Sequence, residues 1–160
     1  MTGAAHDDEG LTVAAASAAE TQRWGYRLGC AMGVGDVLAL NGGLGSGKTT
    51  FCQGLALGLG VPADRYVASP TFALVNIHLG RVPFAHADLY RLKSEAELEE
   101  LGLDEAIDEG AAAIEWADRF PHVLPRDHLT LTLLTVADDT RTLTFAATGS
   151  RSQVLLDSLR

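Results

Sequence analysis

Eight consecutive residues carry the clearest chemical signal in this sequence, because they match the pattern GxxxxGK[ST] at every fixed position. They are Gly42, Gly43, Leu44, Gly45, Ser46, Gly47, Lys48 and Thr49. Glycines let a backbone curl closely enough for many N–H groups to reach phosphate oxygens. A loop that leads into a helix also offers the unpaired N–H groups and the positive dipole end of that helix to an anion. These residues, together with Thr50, are therefore predicted to bind the phosphates of a nucleotide.

Two side chains at the end of this loop have distinct predicted roles. Lys48 is expected to bridge the β- and γ-phosphates as a point charge, and Thr49 to place its hydroxyl on magnesium. Only two of the twelve basic residues are lysines, Lys48 and Lys93. One of the two occupies the position that the pattern requires, so a chance glycine-rich turn explains the segment poorly.

Two acidic residues compete for the second magnesium-binding or water-orienting position. Asp88 ends the segment His86-Ala87-Asp88, and Glu115 follows an apolar run over residues 111–114. An acid at the carboxyl end of a buried strand lies in the crevice where open α/β sheets bind ligands. Either residue would hold magnesium through water or orient the attacking water. The residues alone leave this choice open, and a solvated loop carboxylate is the alternative for each.

Two further positions are candidates for the same site. Pro70 forces Ser69 into an extended conformation, which exposes Thr71 in a loop that would sense the γ-phosphate as switch loops do. An ordinary loop before a strand is the alternative. Trp116 is expected either to stack on the base or to pack in the core. No lysine follows an asparagine, so the guanine-recognition motif Asn-Lys-x-Asp is absent and ATP is favoured.

The elements predicted around these residues place them in an α/β domain. A buried strand over 36–41, the loop over 42–47 and a helix over 48–59 follow one another, as a phosphate-binding loop requires. A helix over 17–32 precedes them, with Ser17 and Glu20 in the spacing of a capping box. Two strands (72–78 and 82–90, with a turn at 79–81), a helix over 94–101 with Ser94 and Glu97 as another capping box, a second short helix after Gly102 and a buried strand over 111–116 come next.

Alternating residues over 128–136 and 141–146 predict an antiparallel hairpin with one face toward water. The predicted fold is a P-loop NTPase of the α/β class. Its mixed sheet has a parallel centre and an antiparallel edge hairpin, and helices flank it. We expect one domain over residues 11–150, a disordered tail over 1–10, and a C-terminal tail or short helix over 151–160.

The formal net charge of the 160-residue chain is -9 at pH 7. An acidic chain repels phosphate at long range, so unaided binding of DNA or RNA is not expected. The two cysteines, Cys30 and Cys52, lack the CxxC spacing and are expected to be reduced thiols. No apolar run is long enough for a membrane span, and residues 1–10 do not resemble a signal peptide. We therefore expect a cytoplasmic protein.

Five segments together resemble the TsaE family, formerly YjeE, over roughly residues 11–147. They are LGSGKTT (44–50), SPTF (69–72), HADLYRL (86–92), LGLDE (101–105) and IEW (114–116). The family is described as the bacterial ATPase of tRNA threonylcarbamoyladenosine synthesis. The resemblance implies that Thr49 and Glu115 are magnesium ligands with Asp88 as a further acid of the site. It also implies a switch over 69–72 and a place for Trp116 near the nucleotide.

The resemblance further implies ATP and Mg²⁺ as cofactors, and TsaB and TsaD as protein partners. In that system TsaD transfers the threonylcarbamoyl group to adenosine 37 of tRNA, and the ATPase resets the complex between turnovers. The tRNA is then reached indirectly, through the partners. The predicted catalytic residues are Glu115, Asp88 and Thr71, and the predicted magnesium ligands are Thr49, Glu115 and Asp88.

One position departs from the family pattern, because Gly43 stands where the family usually carries aspartate. A side chain at the phosphate mouth is therefore missing, which bears on the rate of hydrolysis rather than on phosphate binding. No arginine is an obvious finger supplied by the chain itself. Arg91 is the nearest candidate, with a structural ion pair as the alternative. Since an arginine finger is worth roughly 10³–10⁵ in rate, we predict slow hydrolysis by the isolated chain.

Two other classes of function share the phosphate-binding loop. A small-molecule kinase would need a basic lid that closes over ATP, but Arg119 and Arg126 are isolated in the sequence. A nucleotide-gated binding module would bind ATP without meaningful turnover. Asp88 and Glu115 argue against such a module, whereas Gly43 keeps it open.

Overall fold

The structure is a computed structural model, and it describes residues 10–65, 67–68, 70 and 74–160. Residues 1–9 of the predicted tail over 1–10 lie outside the described residues. So do Thr71 and its neighbours Ser69 and Phe72 in the predicted switch. Gly10, which the sequence assigned to the tail, is described, and a Cβ there would lie 2.4 Å from the carbonyl oxygen of Phe145.

One seven-stranded sheet organises the described chain. Its strands are β1 (Leu11–Ala15), β2 (Val37–Asn41), β3 (Val75–Leu79), β4 (Pro83–Asp88), β5 (Ala111–Glu115), β6 (Leu129–Ala137) and β7 (Thr140–Ala147). They lie in the order β1-β7-β6-β2-β5-β4-β3. The centre, β6-β2-β5-β4, is parallel, and the pairs β1–β7, β7–β6 and β4–β3 are antiparallel.

This architecture confirms the predicted mixed sheet with helices and corrects three details. Antiparallel pairs border the parallel centre on both sides rather than at one edge. The edge strand β1 was not predicted; its first four residues alternate between half-buried and exposed, and Ala15 at its end is buried. Leu79 lies in β3 rather than in the turn.

Among the described residues, five α-helices cover the two faces of the sheet. They are α1 (Ala18–Ala31), α2 (Lys48–Gly58), α3 (Glu95–Glu100), α4 (Leu103–Glu109) and α5 (Ser150–Asp157). Successive residues of a strand point to opposite faces, and β2 shows this clearly. Leu38 and Leu40 pack with α1, α2 and α5, whereas Val37 and Ala39 pack with α3 and α4. No helix among the described residues is long and apolar enough to cross a membrane.

Ser17 and Ser94 cap α1 and α3 as predicted, each accepting a hydrogen bond from the backbone N–H three residues later at 3.2 Å. The capping boxes close differently from the expected pattern. The carboxylates of Glu20 and Glu97 accept from the N–H of the residue before each serine, at 2.6 and 3.0 Å, rather than from the serine itself. The predicted residues therefore cap both helices, but the hydrogen-bonded loop that each glutamate closes contains one residue more than in the expected pattern.

Glycines allow α1 and α2 to pack at very short range. A Cβ at Gly54 would lie 1.9 Å from the carbonyl oxygen of Gln22, and one at Gly25 would lie 2.2 Å from that of Phe51. Any side chain at these positions would collide with backbone, so only glycine permits the approach. The close packing brings the N-terminal end of α1 beside the loop that precedes α2.

Candidate nucleotide-binding site

The loop between β2 and α2 has the backbone that its glycines predict. Gly45 and Gly47 have φ values of 75° and 101°, in the left-handed region that favours glycine. Gly47 is the N-cap of α2, and Lys48 is its first residue. The Lys48 ammonium donates to the carbonyl oxygens of Gly42 at 2.5 Å and Gly43 at 3.1 Å. The loop therefore curls around its own lysine at the start of a helix.

A cavity of about 460 Å³ opens at this loop. Residues 44–50 form its floor, and the strand ends of β4 and β5 contribute Asp88 and Glu115. Thr21 and Ala18 of α1 line it from one side, and the hairpin between β6 and β7 reaches it with Asp139 and Arg141. A cavity of this size is within the range of small-molecule sites.

The two acids between which the sequence left the choice open lie side by side. Asp88 and Glu115 are register partners at the ends of the parallel strands β4 and β5. Glu115 is 2% exposed, whereas Asp88 is half-buried and accepts a hydrogen bond from the backbone N–H of Tyr90 at 3.0 Å. Both carboxylates therefore face the cavity from neighbouring strands, one deeply buried and one closer to solvent.

Glu115 is bonded to a histidine for which the sequence reasoning assigned no role. The Nε2 atom of His86 lies 2.6 Å from Oε2 of Glu115, and both side chains are buried. Burial lowers the pKa of His86, but the neighbouring Cys52 and Glu115 outweigh it, so the net shift of that pKa is upward. Burial raises the pKa of the Cys52 thiol, so this thiol is neutral at pH 7. The Glu115 carboxylate is then the charge that favours a protonated imidazole.

Aromatic side chains lie over the lysine. The Lys48 ammonium is 4.4 Å from the centroid of the Trp116 ring, and the Tyr90 ring is 4.9 Å from that ring. Burial lowers the pKa of Lys48, and the nearby acids, Glu115 foremost, oppose this shift. Trp116 is half-buried and also packs against the core on the α3–α4 side. It thus combines core packing with a position at the phosphate end of the site.

The structure also brings Arg141 to the site, which the sequence did not suggest. Its guanidinium donates to the carbonyl oxygens of Ser46 at 2.9 Å and Gly45 at 3.2 Å. It also holds the hairpin carbonyl of Asp138 at 2.5 Å. No local motif marks this arginine, because its partners lie 95 and 96 residues away in the chain. Arg91, the predicted nearest finger, is exposed and is not among the cavity-lining residues.

Two buried hydroxyls beside the cavity lack a hydrogen-bond partner among the described residues. They are Oγ1 of Thr21 and Oγ of Ser46. Both residues line the cavity, and buried polar groups are rarely left unpaired. Gly43 also has free space, since a Cβ there would meet nothing within 4 Å. The missing family aspartate is therefore not excluded by crowding.

The residues at the site fit a magnesium ion. Thr49, Glu115 and Asp88 offer hydroxyl and carboxylate oxygens along one cavity wall, and oxygen ligands are those that Mg²⁺ prefers. Among the described residues, no group of three or more His, Cys, Asp or Glu could hold a metal by itself.

The chain is similar to known proteins over most of its length. The family model of the threonylcarbamoyl adenosine biosynthesis protein TsaE matches residues 15–143. The tRNA threonylcarbamoyladenosine biosynthesis protein TsaE of Bacillus subtilis is 42% identical over 127 residues, which is 78% of each chain. Its counterpart in Treponema pallidum is 40% identical over 131 residues, covering 81% of this chain and 96% of that protein. The crystal structure of Bacillus subtilis YdiB superposes with a TM-score of 0.80 and 33% identity over 94% of each chain.

Proposed function

This chain belongs to the TsaE family, and we propose that it binds Mg-ATP and hydrolyses it slowly to support tRNA threonylcarbamoyladenosine formation. One observation carries the proposal. A single cavity is lined by the phosphate-binding loop, the lysine and two strand-end carboxylates. These are the parts that P-loop ATPases need for phosphate binding and for positioning an ion and a water.

The phosphate end of ATP would lie at Lys48. The loop N–H groups and the N-terminus of α2 receive the phosphates, and the lysine neutralises the β- and γ-phosphates. Thr49, Glu115 and Asp88 would hold Mg²⁺, which supplies charge stabilisation at the transferring phosphoryl group. Glu115 and Asp88 would also orient the attacking water. Thr71, outside the described residues, keeps its predicted role as the γ-phosphate sensor.

The nucleoside end would point toward α1 and the β6–β7 hairpin. Thr21 and Arg141 line the cavity, and the β6–β7 hairpin lies on the opposite side of β2 from the strands that carry the two acids. The Arg141 guanidinium is already bonded to loop carbonyls, so it supports the loop rather than reaching for the γ-phosphate. That arrangement supports slow hydrolysis by the isolated chain.

We propose TsaB and TsaD as the protein partners, in the cytoplasm, with tRNA engaged through them at adenosine 37. The chain's net charge of -9 supports this division, because an acidic subunit gains little from tRNA phosphates. The alternative of a small-molecule kinase finds less support. At the described rim of the cavity, the residues that follow Glu115 in the chain, Asp139 and Arg141, come from a β-hairpin, not from a basic lid helix.

Calorimetric titration with Mg-ATP tests the proposal, with Lys48→Ala as the variant and Lys93→Ala as the matched control. We expect binding by the wild type and by Lys93→Ala, and loss of binding by Lys48→Ala, because a charge-assisted contact is removed. Turnover is then measured alone and with TsaB and TsaD, and threonylcarbamoyladenosine is quantified in tRNA.

Three outcomes would contradict the proposal. They are no affinity of the wild type for Mg-ATP under any condition, an unchanged tRNA modification after depletion of the protein, and phosphorylation of a small molecule in place of hydrolysis. Equal and fast hydrolysis with and without the partners would contradict the slow intrinsic rate alone.

A further inference from the structure

His86 has a setting that the phosphate-binding mechanism does not use. It is the buried histidine of β4, 0% exposed, and its Nε2 atom bonds Oε2 of Glu115 at 2.6 Å. Among the described residues, this is the hydrogen bond that reaches the Glu115 side chain. A buried carboxylate with one firm partner and one side open to a cavity is held in place but not fully satisfied.

We propose that His86 is a positioning residue for Glu115, and that its hydrogen bond across β4 and β5 holds the carboxylate at the cavity wall. The inference rests on the proposed function, because it concerns how Glu115 would meet Mg²⁺ and water. The bond occupies Oε2, so Oε1 is the oxygen available to the cavity. Without the bond, the carboxylate would rotate about its side-chain torsions and lose its aim.

The sheet geometry dictates this pairing. His86 is the register partner of Ala113 on the neighbouring parallel strand, and Glu115 is two residues further along. Residues two apart share a face, so His86, Ala113 and Glu115 all face the α1–α2 side. A long imidazole opposite a small alanine reaches diagonally to the next side chain on that face. The alanine thereby leaves room for the bond.

The imidazole itself is held in one orientation. Its ring stacks on Phe84, with centroids 6.2 Å apart and an interplanar angle of 8°. The thiol of Cys52, from the helix that begins with Lys48, is close enough to influence the pKa of this imidazole. The Nδ1 atom of the ring lacks a hydrogen-bond partner among the described residues. The ring lies between Phe84 and the helix that follows the phosphate-binding loop, so a displacement of that helix would also displace the hydrogen bond to Glu115.

Partners that orient a metal-binding side chain are worth roughly 10–100-fold in metal affinity or activity. The removal of His86 should therefore act on the steps that use Glu115 and leave the loop's grip on phosphate intact. If His86 had only a structural role, its removal would lower the free energy of unfolding and would not affect turnover separately from nucleotide binding. This separation distinguishes the two roles.

Two amide variants test the inference without adding charge. In His86→Gln the side-chain nitrogen reaches about as far as Nε2 and can still donate to Glu115. In His86→Asn the amide ends near the position of Nδ1 and falls short. His78→Gln is the matched control, because His78 lies on the same face of the adjacent strand β3, beside Phe84, and away from Glu115.

The measurements are turnover with the partners, nucleotide affinity without Mg²⁺, and the gain in affinity when Mg²⁺ is added. We expect His86→Asn to lose roughly 10–100-fold in turnover and in the Mg²⁺-dependent gain, with nucleotide affinity in the absence of Mg²⁺ unchanged. His86→Gln should recover most of both, and His78→Gln should match the wild type.

Equal behaviour of His86→Gln and His86→Asn would overturn the inference, whether both are active, both inactive or both unfolded. If both are inactive or unfolded, ring packing rather than reach is what matters, and if both are active, His86 has no part in positioning Glu115. An effect confined to thermal stability would overturn it as well. If the wild type itself failed to bind Mg-ATP, the proposed function would be lost and this inference with it. A wild type that turns over ATP beside an equally active His86→Asn would remove the inference alone.

Discussion

Two buried carboxylates lie at opposite ends of neighbouring parallel strands and have very different hydrogen-bond partners. Asp36 precedes β2 and is 5% exposed, and Glu115 ends β5 and is 2% exposed. Asp36 accepts from Nε and Nη2 of Arg151 at 2.9 and 2.7 Å and from the backbone N–H of Gly33 at 2.8 Å. Glu115 accepts from His86 at 2.6 Å and borders the cavity.

The difference separates an acid that stabilises the fold from one that is kept for a ligand. A bidentate arginine and a backbone N–H satisfy Asp36 and fasten α5 to the sheet. Among the described residues, Glu115 has His86 as its side-chain partner and an oxygen without one, which costs stability in the absence of a ligand. Proteins keep incompletely satisfied polar groups mainly where function needs them. The contrast predicts that changes at the two acids affect different measurements.

The largest effect is expected from Glu115→Ala. Loss of a group that positions water or transfers a proton lowers turnover by roughly 10²–10⁴-fold, whereas the loop and Lys48 still bind nucleotide. The free energy of unfolding should fall as well, because removing one partner of a buried pair leaves the His86 imidazole unpaired; the loss of turnover at retained nucleotide affinity is what marks the catalytic role. Turnover, calorimetric affinity and urea unfolding are measured in parallel. Normal hydrolysis by Glu115→Ala would show that Asp88 or another group carries the chemistry.

Arg151→Ala tests the opposite end of the comparison. It leaves Asp36 buried with a single backbone donor, and because the arginine is itself half-exposed we expect a loss of about 2 kcal/mol in the free energy of unfolding. Nucleotide affinity and turnover should stay at the wild-type values. Arg160→Ala is the control, since its pair with Asp157 lies at the surface and is worth less than about 1 kcal/mol. An equal loss in both variants would erase the contrast between the two acids.

How far these features could be predicted from sequence depends on how local their causes are. The phosphate-binding loop, the caps at Ser17 and Ser94 and the alternating hairpin rest on residues close together in the chain, and they appear where predicted. The role of Thr71 stays a prediction, because it lies outside the described residues. The resemblance to the family is confirmed by the family model and by relatives over most of the chain.

Contacts between distant residues were not predictable in the same way. Arg141 reaches the loop across 95 residues, and the bond between His86 and Glu115 spans 29. Both residues of that bond occur in the quoted motifs, but only the strand order places β4 beside β5. The nature of residues 151–160 was left open because α5 begins at a glycine cap with no side chain. The acceptor for its first N–H groups comes from Asp127.

The smallest effect is expected at that acceptor, Asp127, whose stabilisation of the fold depends on pH. Asp127 accepts from the backbone N–H groups of Arg151 and Ser152 at 2.8 and 2.9 Å, and the hydrogen bonds from Ser152 foremost lower its pKa. A carboxyl whose pKa is lowered by folding stabilises the fold above its ordinary pKa near 4, and the stabilisation disappears as the pH falls through the folded value. Asp127→Ala should therefore cost about 1 kcal/mol at pH 7 and progressively less below pH 4.

Urea unfolding of the wild type and of Asp127→Ala between pH 7 and pH 3 measures this difference directly. Asp104→Ala is a suitable control, because Asp104 is an exposed acid in the first turn of α4 and carries only a surface effect of the helix dipole. A cost of Asp127→Ala that stays constant across this range would mean that the carboxylate's charge does not stabilise α5. Dependence on pH, together with unchanged nucleotide affinity at pH 7, would place Asp127 with Asp36 among the acids that hold the scaffold, and Glu115 apart from both.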